Sequence, residues 1–329
     1  MRTQAKFPQI PAGAGHYESF YIKATEPGGG RGIWIRHTIH QRPGEPASAS
    51  LWFTHFDSDA AGPRATKETV GRDELSFPDD AYIRVGSAVL EPGRAQGSAA
   101  SDSLTATWDL SFTDDSEPLH HLPHELMYRT KLPKTKFLSP YPTATFTGAV
   151  ALGDETVEIA GWPGMIGHNW GAEHAERWVW IQASELGGNE GDYIDVAAGR
   201  IKVGGWTTPW VANGRIVIDG EPYRVGGFRG TYGTELSEAP TSCEFTIPGR
   251  DINVKGRVSA PAKDFVAWIY ADPKGPEHST LNCSISDIEL RVERAGRPHA
   301  HLGVERAAAY EFGTRDTDHG MPLQPYPDG

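Results

Sequence analysis

Cysteine is scarce in this 329-residue chain: only Cys243 and Cys283 occur, too few for a disulfide scaffold. Both are expected as reduced thiols in a cytoplasmic core. The opening Met-Arg-Thr-Gln-Ala-Lys has no apolar stretch of the secretory kind, which points to the same compartment. Positive charge is also short. The 31 Lys and Arg stand against 43 Asp and Glu, a net −12 that argues against a nucleic-acid surface and leaves no polybasic membrane patch. Long apolar runs are missing: Phe265-Val-Ala-Trp-Ile-Tyr-Ala271 is far too short for a transmembrane segment. Helix patterning is nearly absent. Pro27-Gly-Gly-Gly30 falls in a turn between strands, outside any Rossmann or P-loop context, so no nucleotide cofactor is expected. No Gly-x-Ser-x-Gly elbow is present, which disfavours a nucleophilic hydrolase.

What is present is strand after strand. Tyr17 to Ala24 is the first, followed by Gly32 to His40, where Ile33, Ile35 and Ile39 alternate with Trp34, Arg36 and His40. One face is greasy and the other aromatic and polar. Leu51 to Phe56 repeats that mixture. Ser103 to Phe112 sets Leu104, Ala106, Trp108, Leu110 and Phe112 against Ser, Thr and Asp, the pattern of a half-buried antiparallel strand. Between residues 114 and 142 the alternation stops and prolines gather, so a long surface connection is expected. It carries His120, His121 and His124. A zinc site needs a further ligand and a firmer scaffold than this proline-broken segment offers, so no metal is expected.

Pairing resumes at Thr145 to Leu152, turns at Gly153-Asp154 and returns through Glu155 to Gly161. It delivers the chain into Gly161-Trp-Pro-Gly-Met-Ile-Gly-His-Asn-Trp-Gly171, read as a loop because its glycines tolerate close approach. The aromatic strand Arg177 to Ser184 follows, with Glu173 and His174 closing the loop. Gly187-Gly-Asn-Glu-Gly191 is the expected junction between an N-terminal β-domain, 1–186, and a C-terminal one, 187–329, whose tail after Phe312 is loose. Asn213-Gly214 and Asp219-Gly220 flank Arg215 to Ile218 as a tight meander. The alternating strands from Asp251 to Val258 and from Ser286 to Val292 suit barrel closure, which removes exposed edges.

Gly167-His-Asn-Trp-Gly171, Trp178-Val-Trp180 and Tyr193-Ile-Asp195 resemble the signature of the carotenoid hydratase (hydroxyneurosporene synthase) and AttH-like group. Specific likeness spans roughly residues 145 to 200. Tyr17-Glu-Ser-Phe-Tyr21 and Gly32-Ile-Trp-Ile-Arg36 are similar to a branch of it without an assigned reaction. The resemblance implies an all-β fold of two packed lipocalin-like barrels or sandwiches. It also implies catalytic roles for His168, Trp170, Tyr193 and Asp195, and chemistry without a cofactor.

The residue types suit that chemistry. Hydrating or cyclising an apolar double bond requires protonating carbon, hence a persistent acid and a stabilised cation. Asp195 shares a strand face with Tyr193, and an apolar cavity would raise its pKa and keep its proton. Trp170, Trp178, Trp180 and Tyr193 offer π-faces to a cation, His168 a base for water, and Asn169 an amide to orient the ring. Trp34, Arg36, His40 and Glu18 are further cavity-lining candidates. Each aromatic also fits a plain core role, and Asp195 a salt bridge to Arg177 or Arg200. Two functions stand: an acid–base hydratase, cyclase or isomerase acting on an apolar isoprenoid, polyketide or steroid-like molecule, and a carrier of such a ligand. A homodimer is compatible with either.

Overall fold

The computed structural model describes residues 1–203 and 205–325. The fold is all-β: two curled antiparallel sheets, a near-closed barrel and a half-barrel, packed against each other. No described helix is long and apolar enough to cross a membrane.

Among the described residues the first sheet has twelve strands. It runs from Arg64–Gly71 through Ser48–Asp57, Arg31–Gln41 and His16–Thr25 to Glu155–Gly171, then Thr135–Leu152, Thr105–Thr113, Arg94–Ala100 and short strands ending at Leu75–Ser76. The second has ten. Its order is Glu221–Gly226, Val211–Ile218, Tyr193–Arg200, Arg177–Ser184, Ala300–Thr314, His278–Arg294, Ile252–Ser259, Ser242–Pro248 and Glu235–Ala239, with Val266–Tyr270 paired to His278–Arg294.

The strand carrying Trp178 and Trp180 therefore belongs to the second sheet, bonded to Tyr193–Arg200 on one side and Ala300–Thr314 on the other. The chain crosses between sheets after Gly171, not at 186/187. Gly187 to Gly191 is the turn of a hairpin that pairs Ser184 with Tyr193, since glycine-rich sequence serves a turn as readily as a linker. The tail after Phe312 is also held: its strand continues to Thr314, and Gln324 donates its N–H to the carbonyl of Ala267 at 2.8 Å.

Strand alternation sorts side chains between two interiors. Ile33, Ile35 and Ile39 fill the first barrel with Phe20, Ile22 and Phe53, while Trp34 and Trp52 pack with the core of the second sheet. The aromatic and polar face of Arg31–Gln41 is thus an inter-sheet face, which explains why its whole length is buried apart from the first residue. In Thr105–Thr113, Ala106, Trp108, Leu110 and Phe112 are buried and their neighbours exposed, as alternation requires.

Three local expectations change. Thr135–Leu152 begins ten residues before Thr145 and accommodates Pro140 and Pro142 where its register with Glu155–Gly171 shifts, since proline cannot donate to a ladder. Asn213-Gly214 lies inside Val211–Ile218, and only Asp219-Gly220 turns, with Ile218 paired to Glu221. Gly161 to Gly171 is strand, paired to His16–Thr25 and Thr135–Leu152. Its glycines serve close approach: a Cβ at Gly164 would strike the carbonyl of Lys23, and one at Gly167 would enter the Tyr21 ring.

Candidate functional site

Where the aromatic faces of the two sheets meet lies a narrow cleft of about 40 Å³, walled by Trp34, Phe137, Trp178, Trp180, Tyr270 and the methyls of Ala197 and Ala198. It continues into a wider apolar mouth at Met127, Ile201 and Phe228. Phe228 is 62% exposed there. Several walls are made possible by absent side chains. Gly313 leaves room for the Trp178 indole, and Gly167 for the Tyr21 ring.

Polar groups project among these rings. Arg36 donates from Nε to Ser19 Oγ at 2.6 Å, and its guanidinium carbon sits 3.9 Å from the Tyr270 ring centre. Tyr21 stands opposite Arg36 in register. Burial, with the charges of Asp195 and Glu311, pushes its phenol well above the ordinary range, so the hydroxyl stays a donor. Glu311 accepts from Trp178 Nε1 at 2.9 Å, Asn282 Nδ2 at 3.2 Å and the Tyr270 hydroxyl at 3.3 Å. Asn169 Oδ1 and both ring nitrogens of His174 have no hydrogen-bond partner among the described residues. His174 stacks on Tyr17 with ring centres 3.8 Å apart, and burial, aided by nearby cationic groups, holds its pKa well below the imidazole range.

Asp195 is fully buried behind Trp180. Trp180 Nε1 donates to Oδ1 at 3.0 Å and Ser139 Oγ to Oδ2 at 2.5 Å. His121 Nε2 lies 3.4 Å from Oδ2 and 3.1 Å from Ser139 Oγ, while its Nδ1 faces the Asn213 carbonyl at 3.2 Å. Burial alone would raise the carboxyl. The opposing charge of His121 and the three hydrogen bonds outweigh it and set the pKa below the usual range. Asp195 is therefore a fixed carboxylate and not the protonated acid expected from an apolar setting. Its partner is neither Arg177, which pairs with Glu238 and Asp316, nor Arg200, which donates to the Thr208 carbonyl.

His168 and Trp170 point the other way, because consecutive strand residues take opposite faces. His168 is fully buried, stacked on Phe20 at 4.0 Å, with Trp170 at 4.5 Å. Its Nε2 donates to Glu18 Oε1 at 2.7 Å and its Nδ1 accepts from the Thr3 hydroxyl at 2.8 Å. Glu18 also takes the N–H groups of Lys6 and Phe7 at 2.7 Å each. Burial opposes its charge, but the hydrogen bonds from His16 and His168 prevail and bring its pKa down to about 2. Burial lowers His168 as well, so the charge rests on Glu18 and the imidazole stays neutral. This cluster pins the N-terminal segment. It does not line the cleft.

Of the other expected residues, Asn169, Trp178, Trp180, Trp34 and Arg36 do line the cleft. Tyr193 packs with Leu119 and Val217 and receives Arg215 Nη1 at 3.3 Å, its phenol pushed up to about 12 by burial. His40 is buried opposite Tyr17 in the strand pair. His120, His121 and His124 diverge: their rings pack on Tyr128, Phe137 and Phe228 respectively. Sequence reasoning missed Tyr21, His174 and Glu311 in the cleft and Ser139 and His121 behind it. Tyr21 had a readable signal, since it shares the junction face with Tyr17 and Ser19 at strand spacing. His174 and Glu311 had none, because only the packing of the two sheets brings them together.

Two curled antiparallel sheets, a near-closed barrel and a half-barrel, form the fold seen in AttH-like structures. The likeness to solved structures spans nearly the whole chain. An AttH-like protein of Nitrosomonas europaea superposes with a TM-score of 0.55 at 13% identity, covering 95% of this chain and 97% of that one. CghA gives 0.57 at 10%, covering 93% and 90%. At such identities the likeness is one of fold. In sequence, the uncharacterized protein Rv0493c of Mycobacterium tuberculosis is 29% identical over 316 residues, covering 95% of this chain and 91% of that protein. No family model matches.

Proposed function

We propose that the protein is an enzyme of the hydratase, cyclase or isomerase class, working by acid–base chemistry on an apolar isoprenoid, polyketide or steroid-like molecule held between the two sheets. The observation that carries the reading is the set of polar groups aimed into an otherwise aromatic cleft: Arg36, the Tyr21 hydroxyl, Asn169 Oδ1 and Glu311. A carrier needs the apolar wall alone. CghA, which has this fold, has been solved with Sch210972.

In this reading the rings of Trp34, Trp178 and Trp180 hold the apolar body. Arg36 and the Tyr21 hydroxyl face its oxygen function and stabilise negative charge developing there, Tyr21 as a hydrogen-bond donor that keeps its own proton. Glu311, fixed by three donors, is the carboxylate available to balance a cation or take a proton. Asp195 acts through Trp180 as a positioning residue, holding one wall of the cleft.

Tyr21→Phe tests this, since it removes one hydroxyl and keeps the ring over Gly167. With ligands from a panel of apolar polycyclic and isoprenoid compounds, affinity should stay within a few-fold while turnover falls by about 10²–10³. Native mass spectrometry reads binding and chromatography reads product. Wild-type protein that binds such compounds and returns them unchanged would establish the carrier instead.

A further inference from the structure

We propose that His174, Asp272 and His278 form a binding site for a divalent transition-metal ion, zinc by donor chemistry, in the wall of the junction cleft. Three separate segments supply the donors. His174 lies in the crossover between the sheets, Asp272 follows the strand Val266–Tyr270, and His278 opens the strand His278–Arg294, where it pairs with Tyr270. One donor atom from each lies within 4.8 Å of the others. Donors on a four-coordinate zinc stand roughly 3.4 Å apart, so closing the site takes side-chain adjustment of about 1 Å.

The donors also keep lone pairs that a fully paired structural cluster would have used. Asp272 and His278 are 2% and 1% exposed. Asp272 Oδ1 accepts the Lys274 N–H at 3.4 Å, the carboxyl also faces the His174 backbone N–H, and the His278 ring faces the Ala175 carbonyl. Asp272 Oδ2, His278 Nδ1 and the two ring nitrogens of His174 nonetheless lack a well-formed hydrogen bond among the described residues. Buried polar atoms are normally satisfied, so three neighbouring side chains with spare donor capacity call for a ligand that accepts several lone pairs at once. Two imidazoles and a carboxylate suit zinc, and three protein donors leave a coordination position open.

Arg315 competes for the same lone pairs. Its Nε is 3.2 Å from His278 Nε2 and its Nη2 is 3.7 Å from Asp272 Oδ2, while Nη1 pairs with Glu176 Oε2 at 2.9 Å. Its side chain is 26% exposed and can swing outward on the Glu176 contact as the ion enters. Because His174 lines the cleft, the open position would take water or an oxygen atom of a bound molecule. That last step rests on the cleft being a substrate site. The ion site does not.

The test uses the full chain, stripped with a chelator and titrated with zinc alone and with cobalt(II) alone. One equivalent should bind with a dissociation constant at or below micromolar, and cobalt should give the intense visible bands of a four-coordinate site. Asp272→Asn and His278→Gln should each weaken binding by more than the ~10–100-fold typical of losing an outer partner. The double variant His120→Ala/His124→Ala should bind as wild type. Arg315→Gln should tighten binding at least tenfold, which keeps the idea testable should a ligand variant fold poorly. Absence of stoichiometric binding in both wild type and Arg315→Gln, or binding that survives both ligand substitutions, would overturn the site. Neither result bears on the Tyr21 experiment.

Discussion

Asp195 shows how burial and pairing compete at one carboxyl. Burial disfavours its charge, but Trp180, Ser139 and His121 all direct polar hydrogens or positive charge at it, and the sum leaves it ionised. Asp195→Asn removes the charge and leaves one oxygen where two accepted. Breaking a buried pair from one side costs about 3–5 kcal/mol, so urea unfolding should show a loss of that order. Pairing it with His121→Asn should recover part of the loss in a double-mutant cycle. An Asp195→Asn protein as stable as wild type would mean that the His121 contact contributes nothing. The pairing was not legible in the sequence, where Arg177 and Arg200 were the nearer cations along the chain. Both are committed elsewhere, and His121 arrives from a segment 74 positions upstream.

Strands made most of the fold legible, because a period of two survives reading one residue at a time. The clean alternation of Thr105–Thr113 and the mixed face of Arg31–Gln41 placed Trp34 and Arg36 on the side that proved to be the cleft. Gly161 to Gly171 was misread because glycine signals both loops and close contact, and only the neighbouring strand distinguishes them. Read as strand, it separates Asn169, in the cleft, from His168 and Trp170, in the barrel. The Gly187 to Gly191 turn failed similarly as a domain junction. Gly167→Ala tests the close-contact reading: its new methyl collides with the Tyr21 ring, and overpacking of this kind costs roughly 1–3 kcal/mol. Melting should drop accordingly, and Gly313→Ala, which meets Trp178, should behave alike. Unchanged melting for both would show that the cleft rings move freely.

At the scale of the whole molecule, acid lability follows from interior histidines held neutral. Burial lowers His37 to about 4 and moves His168 down as well. A lowered imidazole means that the unfolded chain binds more protons than the folded one between the folded pKa and about 6.5, so stability rises with pH across that window. Above it the penalty is absent, and below about 4 it is complete. Glu18, depressed to about 2, acts lower down: its contribution is full above its unfolded value and is lost as pH falls through the folded one. His37 isolates the first effect, since both its ring nitrogens are buried without a hydrogen-bond partner among the described residues and it lies across the first sheet from the metal site. His37→Leu should equal or exceed wild-type stability at pH 7, because an apolar side chain replaces an unsatisfied polar one. As pH falls to 4 its advantage should widen by about 3 kcal/mol, the worth of a shift from 6.5 to about 4. Urea unfolding at half-unit steps reads the difference directly. A gap between the two proteins that stays constant from pH 7 to 4 would show that His37 takes up its proton within the folded barrel.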